Sequence, residues 1–263
     1  MWNNKKVIIS MTSYPKRIMN VGICIFYALQ QSIKPDEIHL WLAETEFPNK
    51  EKSLPDDLQC IIEEHPQVFL HWLSNNTYCF KRHEIFRNKD NFYCFFFDDD
   101  VHYRNDLIES TLKLSDTYKD CIINYTNYGL VYYDGKHQLY KTPAYNYPTP
   151  NNRFCGQCMI PSWIYPQEMF TKENLDFRDK YCCICDETWL TQFIVKNKIN
   201  VFNNNLPWGN ELNSYNCNKI GIVSQVNTLD KDGLNFRDRC LMKIFEVFPD
   251  NKKYYEEHFN YGK

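Results

Sequence analysis

The stretch Phe92-Tyr93-Cys94-Phe95-Phe96-Phe97-Asp98-Asp99-Asp100-Val101 constrains the fold of this chain more than any other. Six consecutive aromatic or Cys side chains leave neither face of the segment fit for water, which predicts a strand buried on both sides. Strands of that kind belong to sheets covered by helices on both faces. In open α/β sheets the carboxyl ends of the strands are where ligands bind. Three aspartates stand at that end here, and they repel one another unless positive charge is set among them. The simplest partner is a hard divalent cation that also holds phosphate. The competing reading is a solvated turn or a helix N-terminus, since Asp also favours caps.

The segments on either side support an α/β order. Val7–Met11 reads as a first buried strand, followed by the polar loop Thr12-Ser13-Tyr14-Pro15-Lys16-Arg17. Ile18, Val21, Ile25, Ala28 and Leu29 then recur at a helical period, and Ile38–Leu42 reads as a second strand. This β-α-β opening implies a parallel pair with a crossover. A short helix is expected near 56–64 and a strand at Val68–Trp72. Residues 81–90 are basic and helix-compatible. Leu107, Ile108, Thr111, Leu112 and Ser115 mark one helix face, with Asn105 or Asp106 as its cap.

Further on, Cys121–Tyr125 and Leu130–Tyr133 look like strands, the latter ending in an Asp134-Gly135 turn. Residues 141–153 read as a loop. Gly156 is a position where backbone can approach a ligand closely. Asp186-Glu187 opens a helix whose Trp189, Leu190, Phe193 and Ile194 are apolar, Ile199–Phe202 is a strand, and 203–233 reads as irregular. A last helix is expected at about 235–248. No repeat or linker interrupts the chain. One domain over 1–263 is expected, with a nucleotide-binding half to about 103 and an acceptor-side half beyond it.

Composition removes several classes. Only 8 of 263 residues are Gly, and neither GxGxxG nor GxxxxGK[ST] occurs, so no Gly-rich phosphate loop is available. A net charge of −3 gives no support for nucleic-acid binding. The 12 Cys accompany no signal-peptide core and no apolar run long enough to span a membrane, which favours reduced thiols and a cytoplasmic protein. Cys155-x-x-Cys158 with Cys182, Cys183 and Cys185 is the rival zinc reading, but the second cluster lacks the usual ligand spacing.

Four blocks occur in a telling order: Val7–Ile18 with Thr12-Ser13-Tyr14-Pro15-Lys16-Arg17, then Lys34-Pro35-Asp36-Glu37-Ile38, then Phe97-Asp98-Asp99-Asp100-Val101, then Asp186-Glu187-Thr188-Trp189-Leu190. Together they resemble bacterial GT-A-type glycosyltransferases of the broad family 2-like group, which act on surface glycans such as capsule or lipopolysaccharide. The resemblance implies a GT-A-like, Rossmann-type nucleotide-diphospho-sugar transferase fold: α/β, with a mostly parallel central sheet flanked by helices. It also implies a nucleotide-sugar donor, a glycan or lipid-linked glycan acceptor, and a DxD site for Mn²⁺ or Mg²⁺.

By the same resemblance, Asp98 and Asp100 match the two acidic positions of the DxD motif and would hold the metal, Asp98 also facing the donor ribose. Asp99 could assist, although successive strand residues point opposite ways and the triplet leaves the register open. Thr12, Tyr14 and Arg17 stand where the family holds base and phosphate, Tyr14 as a stacking surface and Arg17 as a pyrophosphate partner. Lys81 and Arg82 fall in the nucleotide-contact region. For Arg17, Lys81 and Arg82 the rival is an ordinary solvated cation.

Asp186-Glu187-x-x-Leu190 resembles the Glu-Asp-x-x-Leu motif of inverting members, whose second acid deprotonates the acceptor. Glu187 here is longer than the usual Asp, and Asp186 is the fallback base. Both acids also suit the first turn of a helix for electrostatic reasons alone. The expected activity is therefore metal-dependent, inverting glycosyl transfer, at the inner face of the membrane if the acceptor is lipid-linked. The alternatives are a nucleotidyltransferase of related fold and a non-catalytic nucleotide-sugar binder.

Overall fold

Alternation along the strands builds two cores on the two faces of one sheet. In β1 (Lys6–Thr12), Val7, Ile9 and Met11 enter one core and Ile8 the other. In β4 (Phe92–Phe96), Tyr93 and Phe95 join the first core, and Phe92, Cys94 and Phe96 the second. A period of two residues along a pleated strand has this consequence, and here both faces are apolar. In this computed structural model, described for residues 1–87, 90–125, 129–133, 136–140, 147–149, 156–204, 209–211 and 228–258, every residue of β4 is buried.

The remaining strands are β2 (Glu37–Ala43), β3 (Val68–Leu73), β5 (Val101–Tyr103), β6 (Cys121–Asn124), β7 (Gly129–Tyr133), β8 (Lys136–Tyr140), β9 (Cys158–Pro161), β10 (Asn200–Asn203) and β11 (Gly209–Glu211). Seven of the strands form a sheet in the order β10-β6-β9-β4-β1-β2-β3. Neighbours are parallel except that β9 runs antiparallel to both β4 and β6. β5 pairs with β11, and β7 with β8, in two small antiparallel ribbons. The expected mixed α/β architecture, a mostly parallel sheet flanked by helices, is therefore the one observed.

The helices are α1 (Val21–Leu29), α2 (Asp56–Glu64), α3 (Leu107–Thr117), α4 (Lys172–Tyr181), α5 (Asp186–Lys196), α6 (Phe236–Val247) and α7 (Pro249–His258). α1, α2 and α3 supply Val21, Ile25, Leu58, Leu107, Ile108 and Leu112 to the first core. α5, α6 and α7 supply Trp189, Leu190, Phe193, Cys240, Leu241, Ile244 and Tyr255 to the second. α3 buries the face read from its periodicity, Leu107, Ile108, Thr111, Leu112 and Ser115, although Asp106 makes no side-chain cap bond. α6 begins with a capping box in which the Asn235 and Asp238 side chains each accept the other's backbone N–H.

Three expectations need revision. Residues Tyr78–Arg87 form a 3₁₀ segment that lies inside the protein, with Phe80, Lys81, Arg82, His83, Ile85 and Phe86 all buried. Lys81, Arg82 and His83 are therefore not a solvated face, whereas Arg87 at the end of the segment is exposed. α7 follows α6 where no further helix was read. Cys182 is also not a reduced thiol, because it forms a disulfide with Cys240, while Cys24, Cys94, Cys121 and Cys185 are buried thiols. The Asp134-Gly135 turn, residues 141–146, 150–153 and Cys155 lie outside the described residues.

Candidate active site

The parallel register of β1 and β4 brings Ser10 level with Phe96. The loop after β1 and the aspartate triplet after β4 therefore leave the sheet at the same edge. Strand alternation continues into the triplet and divides it. Asp98 turns toward the second core, where Arg82 waits, and Asp99 toward the first, where Arg17 waits. Arg17 donates from Nη1 to Asp99 Oδ1 over 2.9 Å and from Nη2 to Asp100 Oδ2. Ser13 Oγ donates to Asp99 Oδ2 over 2.6 Å. The positive charge that a triplet of carboxylates demands is thus already present, as guanidinium.

Asp99 is buried with both oxygens engaged. Burial pushes its carboxyl up to about 6, with Arg17 and Ser13 pulling the other way. Asp98 and Asp100 are the open members, with 28% and 16% of their side-chain surfaces exposed. Asp98 receives Arg82 Nη1 at 2.9 Å and Gln157 Nε2 at 2.6 Å. Its backbone N–H donates to the Tyr103 hydroxyl over 2.8 Å. Among the described residues, no three His, Cys, Asp or Glu side chains converge as a metal site. A cation here would have two carboxylates and would need ligand phosphates or water for the rest.

Arg82 joins the triplet to the acidic pair of α5. Its Nη2 donates to Asp186 Oδ2 over 2.8 Å while Nη1 holds Asp98. His83 Nε2 is 3.2 Å from the same Asp186 oxygen, and His83 Nδ1 is 2.8 Å from the Tyr165 hydroxyl. Burial would raise the Asp186 carboxyl, but Arg82 and His83 hold it far below the usual carboxylate range. Burial likewise lowers His83, against the pull of Asp186. Asp186, with only 8% of its side chain exposed, is spent on this network.

Glu187 has a different environment. Its Oε1 accepts the Gly156 backbone N–H at 3.0 Å, and its Oε2 lies 3.4 Å from Arg237 Nη2. A quarter of its side chain, 25%, stays exposed. Gly156 is needed here for space: a Cβ would stand 2.4 Å from Arg82 Nη2 and 3.4 Å from Glu187 Oε1. The close backbone approach expected at Gly156 is to these two side chains.

The other sequence candidates fall nearby in different roles. Thr12 donates to the Trp41 carbonyl over 2.7 Å and so ties the end of β1 to β2. Tyr14 is half-buried in the same loop. Lys81 is 2% exposed, and its ammonium is held by Glu46 at 2.7 Å and Asn76 at 3.1 Å. Replacing Lys81 by Met should therefore lower stability, by about 3–5 kcal/mol if Glu46 is left uncompensated. Nucleotide affinity should stay unchanged; denaturant unfolding and calorimetry check the two parts.

Four participants were not read as site residues: Ser13, His83, Gln157 and Arg237. Gln157 adjoins Gly156 and His83 adjoins Arg82, so neighbourhood in the chain was the available signal for both. Arg237 had none, since it reaches Glu187 only through the packing of α6 against α5.

No family model matches the chain, and no curated protein matches it. Among solved structures it is similar to S. aureus TarS 1–349 in complex with UDP, with a TM-score of 0.47, 12% identity, and coverage of 78% of this chain and 59% of that one. It is also similar to S. aureus TarS 1–349 in a second structure (TM-score 0.47, 12% identity, 94% and 73% covered) and to S. aureus TarS (0.46, 12%, 97% and 44%). The chain thus spans 59% of the first of these structures. At such values the similarity does not specify an activity, and the geometry of the site has to.

Proposed function

We propose that this protein transfers a sugar from a nucleotide-sugar donor to a hydroxyl of a glycan acceptor, with inversion at the anomeric carbon. One observation carries the reading. The aspartate triplet, the Arg17 loop and the Asp186-Glu187 pair, far apart in sequence, meet at one edge of the sheet through Arg82. That edge lies at the carboxyl ends of β1 and β4, where α/β sheets take their ligands.

In the proposed reaction Glu187 removes the proton of the acceptor hydroxyl. The acceptor oxygen forms its bond to the anomeric carbon as the bond from that carbon to the phosphate oxygen breaks. The nucleoside diphosphate leaves with the electron pair. Glu187 suits the base role because it is partly open, with the Gly156 N–H and Arg237 beside its carboxylate. Asp186 does not, because a carboxylate held so far below neutrality is a weak proton acceptor. Asp186 instead orients Arg82 toward Asp98.

Arg17 is the proposed partner of the donor pyrophosphate, and Tyr14 in the same loop the surface for the base. Removing Arg17 should weaken donor binding by about 1.5–3 kcal/mol, the range for hydrogen bonds to charged groups. Titration calorimetry of the Arg17→Ala variant checks this.

The donor set at Asp98 and Asp100 fits Mn²⁺ or Mg²⁺, because carboxylate oxygens are ligands for hard cations and both side chains are partly open. Such an ion supplies neutralisation of the departing diphosphate. Asp98 and Asp100 would hold it, Asp100 sharing or yielding its contact with Arg17. The overall test is a panel of nucleotide sugars, UDP-sugars first, scored by thermal stabilisation with Mn²⁺ and with chelator. A ligand at 100 times its dissociation constant should add about 2.7 kcal/mol. Metal-enhanced stabilisation by one nucleotide class is expected. Equal stabilisation in chelator removes the metal, and no stabilisation by any nucleotide sugar removes the donor assignment.

A further inference from the structure

Arg237 occupies the first turn of α6 and points at the carboxylate of Glu187 in the first turn of α5. Only 15% of its side chain is exposed, and the carboxylates of Glu187 and Asp186 together with the Cys185 thiol outweigh that burial and raise its affinity for the proton. The helix that carries it is fixed at both ends of its first two turns. The capping box of Asn235 and Asp238 sets its start. Arg239, on the next turn, pairs with Asp230 and Asp232 of the preceding loop. Cys240, three positions beyond Arg237 and so on the same helix face, is bonded to Cys182. Cys182 ends α4 and leads through Cys183, Ile184 and Cys185 into Asp186 and Glu187. The covalent link therefore joins the segment that presents Glu187 to the helix that presents Arg237.

We infer that Arg237 is a positioning residue for the catalytic carboxylate: it holds Glu187 ionised and aimed, and the Cys182–Cys240 bond fixes the helix that delivers it. The inference rests on the assignment of Glu187 as base. Other groups face the same carboxylate. Gly156 donates its N–H, Asp186 and Cys185 adjoin it on its own helix, and Arg82 lies beyond Gly156 with Asp98 behind it. Arg82 is shared between Asp98 and Asp186. Among the described residues, Arg237 is the cation in contact with the Glu187 carboxylate.

Carboxyl ¹³C NMR titration of the full-length protein tests this without a substrate. The Glu187 signal is assigned by its loss in Glu187→Gln. In Arg237→Gln its midpoint should rise by about one unit, the lower range for losing an adjacent opposite charge, and Arg237→Lys should restore most of it. Cys240→Ser should give the same rise, and so should wild type reduced with dithiothreitol, which guards against a Ser variant that fails to fold. An unmoved midpoint in Arg237→Gln overturns the inference. A midpoint that moves there but not on reduction overturns the part played by the disulfide.

With the nucleotide sugar selected by the panel, Arg237→Gln should lower kcat about tenfold at neutral pH and shift the acidic limb of its pH profile upward, with UDP affinity in Mn²⁺ unchanged. Weakened UDP binding at constant kcat would make Arg237 a phosphate ligand instead. If Glu187→Gln turns over normally, the base assignment falls, whatever the titration shows. If it is inactive and Arg237→Gln is fully active, only the present inference falls.

Discussion

Glu187→Gln should lower kcat by a hundredfold or more, within the roughly 10²–10⁴-fold typical of a positioned general base, while leaving donor affinity within a few-fold of wild type. An acceptor hydroxyl is a poor nucleophile at neutral pH, and its proton must leave as the sugar–phosphate bond breaks. Gln keeps the shape of Glu187 and its capacity to accept the Gly156 N–H. It removes only basicity and charge. The donor side of the site, Arg17 with Asp98 and Asp100, is untouched by the change. Steady-state kinetics beside calorimetric donor binding separates the two effects. Turnover within tenfold of wild type removes Glu187 as the base, and unaffected turnover in Asp186→Asn as well removes the inverting mechanism.

Arg82→Ala should be strongly destabilising. Arg82 is buried and shared by Asp98 and Asp186, and it also lies over the Phe96 ring, 4.7 Å from its centroid. Its loss leaves Asp186 buried with His83 as its remaining side-chain partner among the bonds described. Breaking a buried pair by removing one member costs about 3–5 kcal/mol, a fall in Tm of roughly 10 °C for a chain of this size.

The pH dependence follows from Asp186. Its folded carboxyl lies well below the ordinary value of 3.8, chiefly because Arg82 and His83 overcome the effect of burial. The stabilisation is therefore complete above the unfolded value and drains away as pH falls below it. Wild type should lose stability steeply below about pH 4, and Arg82→Ala should lose much less over that interval. Thermal melts from pH 7 down to 3 measure both curves. Parallel curves would show that the pair contributes nothing to acid stability.

Most of the architecture was legible because it rests on local rules. The helix at 56–64 lies as expected at Asp56–Glu64, and the buried face of α3 is the one its periodicity marks. The double-sided burial of β4 follows from an unbroken apolar run. The burial of Lys81, Arg82 and His83 was not legible in the chain, where a phosphate contact and a solvated cation were the readings weighed for the two cations. Buried charges are tolerated when paired, and the partners, Glu46 for Lys81 and Asp186 for Arg82, lie 35 and 104 residues away. The disulfide was unreadable for the same reason, with 58 residues between its cysteines.

What the sequence determined by itself is a dense negative charge at the end of a strand buried on both faces, and a second acidic pair at the head of a helix. Burial periodicity and helix-end electrostatics are properties of neighbouring residues, so they are written along the chain. What only the tertiary structure decided is how those charges are divided. Strand alternation and packing give Asp99 and Asp100 to Arg17, and Asp98 and Asp186 to Arg82, and set Gly156 and Arg237 against Glu187. Adjacent acids of identical or similar chemistry thereby acquire different environments, because a carboxylate takes its character from the charge and solvent around it, and those come from residues remote in sequence.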